Sequence, residues 1–300
     1  MSRERLSADL ILQTPAKVNL FLEVLGKRPD GYHELASLML AVDLADSLEL
    51  AHDDSGQLAL TCDQPGLSCG SDNLVAKAAE TLRRHSGIRL GARMHLRKRI
   101  PMQSGMAGGS SDAAAALIGL NRLWNAGLST ADLKEIGATI GSDVNFFFDA
   151  PAAWCTGRGE MVEPTPMGMS LHLVLACPMQ GLATADVFRN VRSANQPVHG
   201  KAIRLALERG DFDGICRHLH NRLQAPAEAL CPEIGHVRHA LLAAGAPCSL
   251  MTGSGSTVFS LCRDRDEAIR VAAKLGAEIP TVPLRLCTAA DSPAVIRGAD

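Results

Sequence analysis

The sequence predicts an α+β fold in two domains, and three observations carry that expectation. Its 300 residues are 46% hydrophobic with a formal charge of -2, enough chain to bury two ordinary cores. Strand-like runs and helical runs come in groups rather than in strict alternation, which argues against a regular α/β repeat. The pattern also changes character near residues 156–165, so the expected division is 1–160 and 161–300.

The elements follow in order. Residues 10–25 read as strand, with Lys17, Asn19, Phe21 and Glu23 on one face and Val18, Leu20, Leu22 and Val24 on the other. The Pro-Asp-Gly of KRPDGYHEL supplies a turn, and strand resumes through about Leu50. SDNLVAKAAETLRRHSG reads as a helix capped by Ser71 and stopped near Gly87. RMHLRKR is a basic strand with Arg93, His95, Arg97 and Arg99 on one face and Met94, Leu96, Lys98 and Ile100 on the other. Ser110-Ser111-Asp112 is expected to open a helix that buries Ala113, Leu117, Leu120 and Trp124 and ends at Gly127. Ser129 and Asp132 have capping-box spacing, and CTGRGE is turn-like. In the second half LHLVLAC reads as buried strand, followed by helices near 201–209, 212–222 and 232–244. CSLMTGSGSTVFSLC reads as strand, glycine-serine turn and strand, and a helix at 265–275 precedes a last strand near 284–288.

Composition excludes several classes. Nine scattered cysteines with no C-x-x-C point away from a disulfide framework or a structural zinc site and fit a reducing, cytoplasmic setting. MSRERLSADL lacks the apolar core of a signal peptide, and the uncharged run from Pro164 to Ala185 is broken by prolines, glycines, His172 and Gln180, so no membrane span is expected. The near-neutral charge and the absence of interleaved aromatics make the basic strand a solvated face rather than a nucleic-acid surface. His218 with His220, and His236 with His239, have no Cys or acid at ligand spacing and read as surface helix residues.

The segment with most chemistry is RIPMQSGMAGGSSDAAAAL, Arg99 to Leu117. It matches neither G-x-x-x-x-G-K-[ST] nor G-x-G-x-x-G. Gly105, Ala107, Gly108, Gly109, Ser110 and Ser111 nevertheless lead straight into a helix, where small residues let backbone amides approach an anion and the helix end adds attraction. A tight strand-to-helix connection uses the same glycines, so the loop alone leaves both readings open. Lys17 and Asn19 on an apolar strand, Asp143 after a Gly-Ser turn, and a second loop TGSGS at Thr252–Ser256 favour a site. A lysine–aspartate salt bridge would satisfy two of these without any ligand.

Three segments, PAKVNLFLEVLGKRPDGYHEL, IPMQSGMAGGSSDAAAAL and LMTGSGSTVF, resemble in order and spacing the three motifs of the GHMP small-molecule kinases, over Thr14 to Phe259. The DGYH segment is similar to the branch of that family whose acceptor carries a cytidine diphosphate. The resemblance implies a ribosomal-protein-S5 domain 2-like N-terminal domain, a ferredoxin-like C-terminal domain and an active site in the cleft between them. It implies ATP over the glycine loop, with contacts from Pro101, Gln103, Ser104, Gly105, Met106, Ala107, Gly108, Gly109, Ser110 and Ser111, and Mg2+ near Ser110 or Ser111. Asn73 and Lys98 match residues near the adenine end. Asp143 matches the catalytic aspartate and Lys17 the lysine paired with it. Tyr32, His33 and Phe188 match residues that hold the cytosine, and Asn19 and Thr184 match polar contacts to the rest of the acceptor. The expected partner is a small molecule, with no nucleic acid and no membrane; the oligomeric state is left open.

The implied chemistry is consistent with these residue types, because phosphoryl transfer to a hydroxyl needs alignment, charge stabilisation and a carboxylate to take the proton. The alternatives are another GHMP kinase activity, a catalytically silent ligand-binding member, or a nucleic-acid module. Four departures stand out: Gln103, Ser104, Met106 and Ala107 replace the family's Gly, Ala, Leu and Gly. Ala107 matters most, since a Cβ disfavours positive φ and crowds a phosphate; either its φ is negative or nucleotide affinity is altered. Arg222 and Gln224 in HNRLQAP stand where acids are common.

Overall fold

The structure, a computed structural model, describes residues 8–149, 151–192, 195–279 and 282–289. Most of residues 1–10, on which the reading of the amino terminus rests, and the tail past 289 lie outside the described residues. Two β-sheets and the helices on their outer faces form four layers. The first sheet is built on two long strands, β1 (Leu10–Lys27) and β2 (His33–Asp53), paired antiparallel through the Arg28–Tyr32 turn. The carboxyl half of β2 pairs with β4 (Gly91–Arg97), which pairs in turn with β3 (Leu58–Cys62). The amino half of β2 pairs with β5 (Ala152–Gly157), and β6 (Met161–Pro164) extends the sheet beyond β5. The other sheet contains β7 (Leu171–Ala176), β9 (Leu250–Met251), β10 (Val258–Cys262) and β11 (Leu284–Ala289) in the antiparallel order β11-β7-β10-β9. That is the fourth-first-third-second order of a ferredoxin-like sheet.

Alternation along β7 shows how the layers join. Leu171, Leu173 and Leu175 face Val18, Leu20, Leu38 and Leu40 of the first sheet, whereas Val174 and Ala176 face the helices behind. On the far side of the first sheet lie α1 (Leu74–Ser86), α2 (Gly108–Leu123), α3 (Thr130–Ile140) and α4 (Phe146–Asp149). Behind the second sheet lie α9 (Pro232–Ala243) and α10 (Arg265–Glu278). The connection from β7 to β9 also contains α5 (Thr184–Asn190), α6 (Lys201–Arg209), α7 (Phe212–His218), β8 (His220–Asn221) and α8 (Gln224–Leu230).

Several expectations are corrected here. β1 is buried on both sides from Thr14 to Val24 because helices cover one face of its sheet and the second sheet covers the other. A shift of register between Asn19 and Phe21 also interrupts the expected alternation. The cap of α1 is Asn73, not Ser71, its side chain accepting from the Val75 N–H. α2 begins at Gly108, two residues before the serines, and ends at Leu123 rather than Gly127. α7 stops at His218, and His220 is not a surface helix residue: β8 pairs in parallel with Phe21 and Leu22 of β1. The Ser129–Asp132 capping box matches the reading of the sequence; of CTGRGE only Arg158–Glu160 is turn, Cys155–Gly157 belonging to β5, and β4 keeps the expected faces of RMHLRKR but ends at Arg97.

Candidate active site

The two glycine loops, far apart in sequence, meet backbone to backbone. A Cβ on Gly105 would lie 2.2 Å from the Thr252 carbonyl oxygen, and one on Gly253 would lie 2.5 Å from the Gly105 carbonyl oxygen. Only glycine permits that approach, and φ is +78° at Gly105 and +55° at Gly253. The 252–256 loop is fixed from behind by Asn221, whose Nδ2 donates to the Met251 and Gly253 carbonyls at 2.7 and 2.9 Å. Gln224 Oε1 accepts from the Met251 N–H at 3.0 Å, so this replacement of a usual acid still serves the junction.

Lys17 ties the first loop to β1. Its N–H donates to the Met106 carbonyl at 3.1 Å, and its Nζ donates to Asn19 Oδ1 at 2.7 Å and to the Gly105 carbonyl at 2.8 Å. The same Nζ stands 3.7 Å from Asp143 Oδ2. Burial pushes the Lys17 ammonium below its ordinary pKa, and the Asp143 carboxylate opposes that shift. Asn19 is locked as well: its Nδ2 donates to Ser37 Oγ, its N–H donates to Thr252 Oγ1, and Thr252 Oγ1 donates to Asn19 Oδ1.

These residues line one cavity of about 1380 Å³. Its wall includes Asn73, Lys98, Pro101, Gln103, Ser104, Gly105, Ala107, Gly108, Gly109 and Ser110, together with Asn19, Tyr32, His33, Thr184, Phe188, Lys17 and Asp143. Met106 and Ser111 are the exceptions among the expected contacts. Met106 is buried in the core between the sheets, and Ser111 sits on the inward face of α2 with its hydroxyl buried and unpartnered among the described residues. Of the two serines expected near a metal, the cavity is therefore lined by Ser110.

Of the two alternatives for Ala107, a negative φ or an altered nucleotide affinity, the first is ruled out. Its φ is 55°, left-handed, and Gln103 is also left-handed at 51°. The chain keeps a positive φ at both positions where it lacks the family's glycine, because it must reverse between Ile100 and the start of α2. Ala107 is the N-cap of α2 and offers no side-chain hydrogen bond, while its carbonyl accepts from the Ser110 and Ser111 amides at 3.1 Å each. The amides at the head of α2 thus face a cavity rather than a capping side chain.

Lys98 lies against the same helix start but is held by two buried carboxylates. Its Nζ bonds to Asp46 and, at 2.7 Å, to Asp112. Burial raises the Asp112 pKa to about 6 against the pull of Lys98. Asp46 also accepts the Arg99 and Ile100 N–H groups, and Asp112 accepts from Thr14 Oγ1 at 2.7 Å. Asn73 bonds to the Ser68 carbonyl and to the Val75 N–H, so its side chain is fixed by the helix it caps. Elsewhere on the wall His33 stacks on Phe188 with centroids 5.1 Å apart, Thr184 pairs with Ser254 of the second glycine loop at 2.9 Å, and Tyr32 is 53% exposed. Arg158 also lines the cavity, a residue read in the sequence only as part of a turn. Its one sequence signal is a cation between the two glycines of that turn.

The geometry provides an amide-lined loop at a helix start, a lysine–aspartate pair next to it, and an aromatic end in the same cleft. Comparisons with known proteins converge on one family. The GHMP kinases N terminal domain matches residues 73–157 and the GHMP kinases C terminal domain matches residues 203–281. The 4-diphosphocytidyl-2-C-methyl-D-erythritol kinase of Pelotomaculum thermopropionicum is 42% identical over 261 residues, covering 86% of this chain and 91% of the relative. That of Shouchella clausii is 40% identical, covering 87% and 88%. A crystal structure of 4-(cytidine 5'-diphospho)-2C-methyl-D-erythritol kinase superposes with a TM-score of 0.78 at 35% identity, covering 93% of this chain and 98% of that one. Homoserine kinase from Cytophaga hutchinsonii shares the fold with a TM-score of 0.76 at 18% identity. On the strength of both family matches and of relatives similar along most of its length, this chain belongs to the GHMP kinase family.

Proposed function

We propose that this protein transfers the γ-phosphoryl group of ATP to the 2-hydroxyl of 4-diphosphocytidyl-2-C-methyl-D-erythritol, giving the 2-phosphate and ADP in isoprenoid precursor biosynthesis. The observation that carries the reading is the placement of Lys17 and Asp143, 3.7 Å apart, in the cavity that also holds the Gly105–Ser110 loop and the Tyr32, His33 and Phe188 side chains. In this reading residues 1–160 supply the nucleotide site and residues 161–300 close the acceptor side of the cleft.

The phosphates of ATP bind the amides at the head of α2, where the unpaired N–H groups and the helix dipole favour negative charge. Asn73 and Lys98 stand at the adenine end, with the Lys98 charge already balanced by Asp46 and Asp112. The acceptor oxygen attacks the γ-phosphorus while the bond to the oxygen bridging to the β-phosphorus breaks, releasing ADP. Asp143 takes the hydroxyl proton, an effect worth about 10²–10⁴ in rate. Lys17, fixed by Asn19 and by the Gly105 carbonyl, supplies positive charge beside the transferring group without a side-chain rearrangement. The cytosine stacks at the aromatic end, and Asn19 and Thr184 contact the rest of the acceptor.

Mg2+ is expected to arrive with ATP. The described residues contain no cluster of three metal-ligating side chains, and the Ser110 hydroxyl lines the cavity, a combination that suits an ion held mainly by phosphates and water. Ser110 would be its protein ligand, and the ion would neutralise the β- and γ-phosphate oxygens. The direct test is incubation of the protein with ATP and this acceptor, followed by mass spectrometry. A gain of one phosphoryl group on the acceptor with stoichiometric ADP supports the reading; phosphorylation of homoserine or mevalonate instead would reassign it within the family.

A further inference from the structure

We propose that Arg158 holds the diphosphate of the acceptor and so makes the enzyme discriminate a nucleoside diphosphate conjugate from a bare nucleoside. The inference rests on the acceptor proposed above and assigns a charged residue to its diphosphate, which the polar contacts of Asn19 and Thr184 leave without a cation of its own. Arg158 is carried by the Gly157–Glu160 turn between β5 and β6, and it lines the cavity. Its guanidinium carbon lies 4.8 Å from the centre of the Tyr32 ring, at the base-binding end. The next residue, Gly159, is so close to the other end that a Cβ on it would lie 3.4 Å from Asp143 Oδ1. The Arg158–Gly159 segment therefore reaches from the ring proposed to meet the cytosine to the carboxylate proposed to meet the 2-hydroxyl. In the acceptor the groups joining these two ends are the ribose and the diphosphate.

Of the other cations that line the cavity, Lys27 has no ion pair among the described residues and lies by His33, whose pKa burial and, to a lesser degree, the Lys27 charge lower, and Lys98 is held by Asp46 and Asp112. Lys17 is bonded to Asn19 and Gly105 beside Asp143, and Arg189 pairs with Asp186 at 2.8 Å. The polar side-chain contacts of Arg158 are long: Nη2 to the Ala138 carbonyl at 3.3 Å and Nε to Glu160 Oε1 at 3.6 Å. Glu160 meanwhile accepts the Arg158 backbone N–H at 2.6 Å, which fixes the turn rather than the guanidinium. Positive φ at Gly157 (+71°) and Gly159 (+117°) shapes the turn so that the side chain between them projects over the cleft. A planar fork with weak existing partners suits two adjacent phosphates, which it can grip through parallel charge-assisted hydrogen bonds.

The test compares CDP and cytidine as probes, by calorimetry, on the full chain and on Arg158→Gln. The expected result is that CDP binding weakens about 10- to 100-fold, the loss of one or two charge-assisted hydrogen bonds, while cytidine binding changes less than about threefold. Arg158→Lys should recover part of the CDP affinity, and the ATP affinity and melting temperature of both variants should stay at the wild-type values. Equal weakening of CDP and cytidine would overturn the proposal, because it would mean that Arg158 acts only by supporting the Tyr32 ring. Unchanged CDP binding would overturn it too. If the unsubstituted protein bound neither probe, the acceptor reading itself would fail, an outcome distinct from a failure of Arg158 alone.

Discussion

Glu23 and Arg222 meet through two hydrogen bonds of 2.7 Å, Nε to Oε1 and Nη2 to Oε2, across 199 positions of sequence. The pair joins the strand that carries Lys17 to the segment whose Asn221 holds the second glycine loop, so it ties together the two halves of the cleft. Glu23 also accepts from the Val198 and Val24 amides and stands 3.0 Å from His220 Nε2. Burial alone would raise its pKa, but Arg222 and the two amides outweigh burial and bring it down to about 2.

A pH dependence follows from that shift. Glu23 is depressed from 4.5 to about 2, so its contribution is fully present above pH 4.5 and is lost as the pH falls toward 2. Glu23→Gln should lose roughly 3 kcal/mol at pH 7 and show a flatter acid limb between pH 4.5 and 2 in urea melts. The double variant Glu23→Leu with Arg222→Leu should be more stable than either single variant, since it strands no buried charge.

Ala107 offers a test of backbone strain. With φ at 55° a Cβ costs about 1 kcal/mol, so Ala107→Gly should gain up to about that much stability and bind ATP more tightly. Ala107→Val should lose about 2 kcal/mol or more, because a branched side chain is least tolerant of this conformation. Denaturant midpoints and nucleotide titrations measure both.

Lys98 separates a folding role from a binding role. Removing it in Lys98→Met leaves Asp46 and Asp112 buried without their cation, which should cost about 3–5 kcal/mol. A melting curve that barely moves would show that the cluster is not the main role of this lysine.

The aromatic end predicts a split in kinetics. Phe188→Ala and Tyr32→Ala should each raise the acceptor KM by about 5- to 100-fold, the worth of one base stack, and leave the ATP KM near its original value. An equal rise in both constants would move the base site elsewhere.

What could be read in the sequence was whatever its chemistry keeps local. The glycine loop and the DGYH turn are short motifs, whereas Lys17 and Asp143, about 126 positions apart, are paired only through the family resemblance; the structure lines one cavity with residues of all three. What escaped depends on distant packing. The burial of both faces of β1 follows from a second sheet that begins at Leu171, and α5, α8 and β8 are short elements set by what they pack against. Arg222 looked like a lost acid until Glu23 was found opposite it. A Cβ disfavours the positive φ of Ala107, yet the reversal into α2 imposes one. Arg158 reads in the sequence as a cation between two glycines, and its value depends on Tyr32 and Asp143 being brought to the turn that carries it.

The most direct test of the account is the turnover of Asp143→Asn. The substitution keeps the size of the side chain beside Lys17 and removes only its ability to take a proton. The account predicts a fall in kcat of about 10²–10⁴ with the ATP dissociation constant within about twofold of the original protein. Turnover that stays unchanged would contradict it, because the pair 3.7 Å apart at the centre of the cleft would then be no more than a salt bridge.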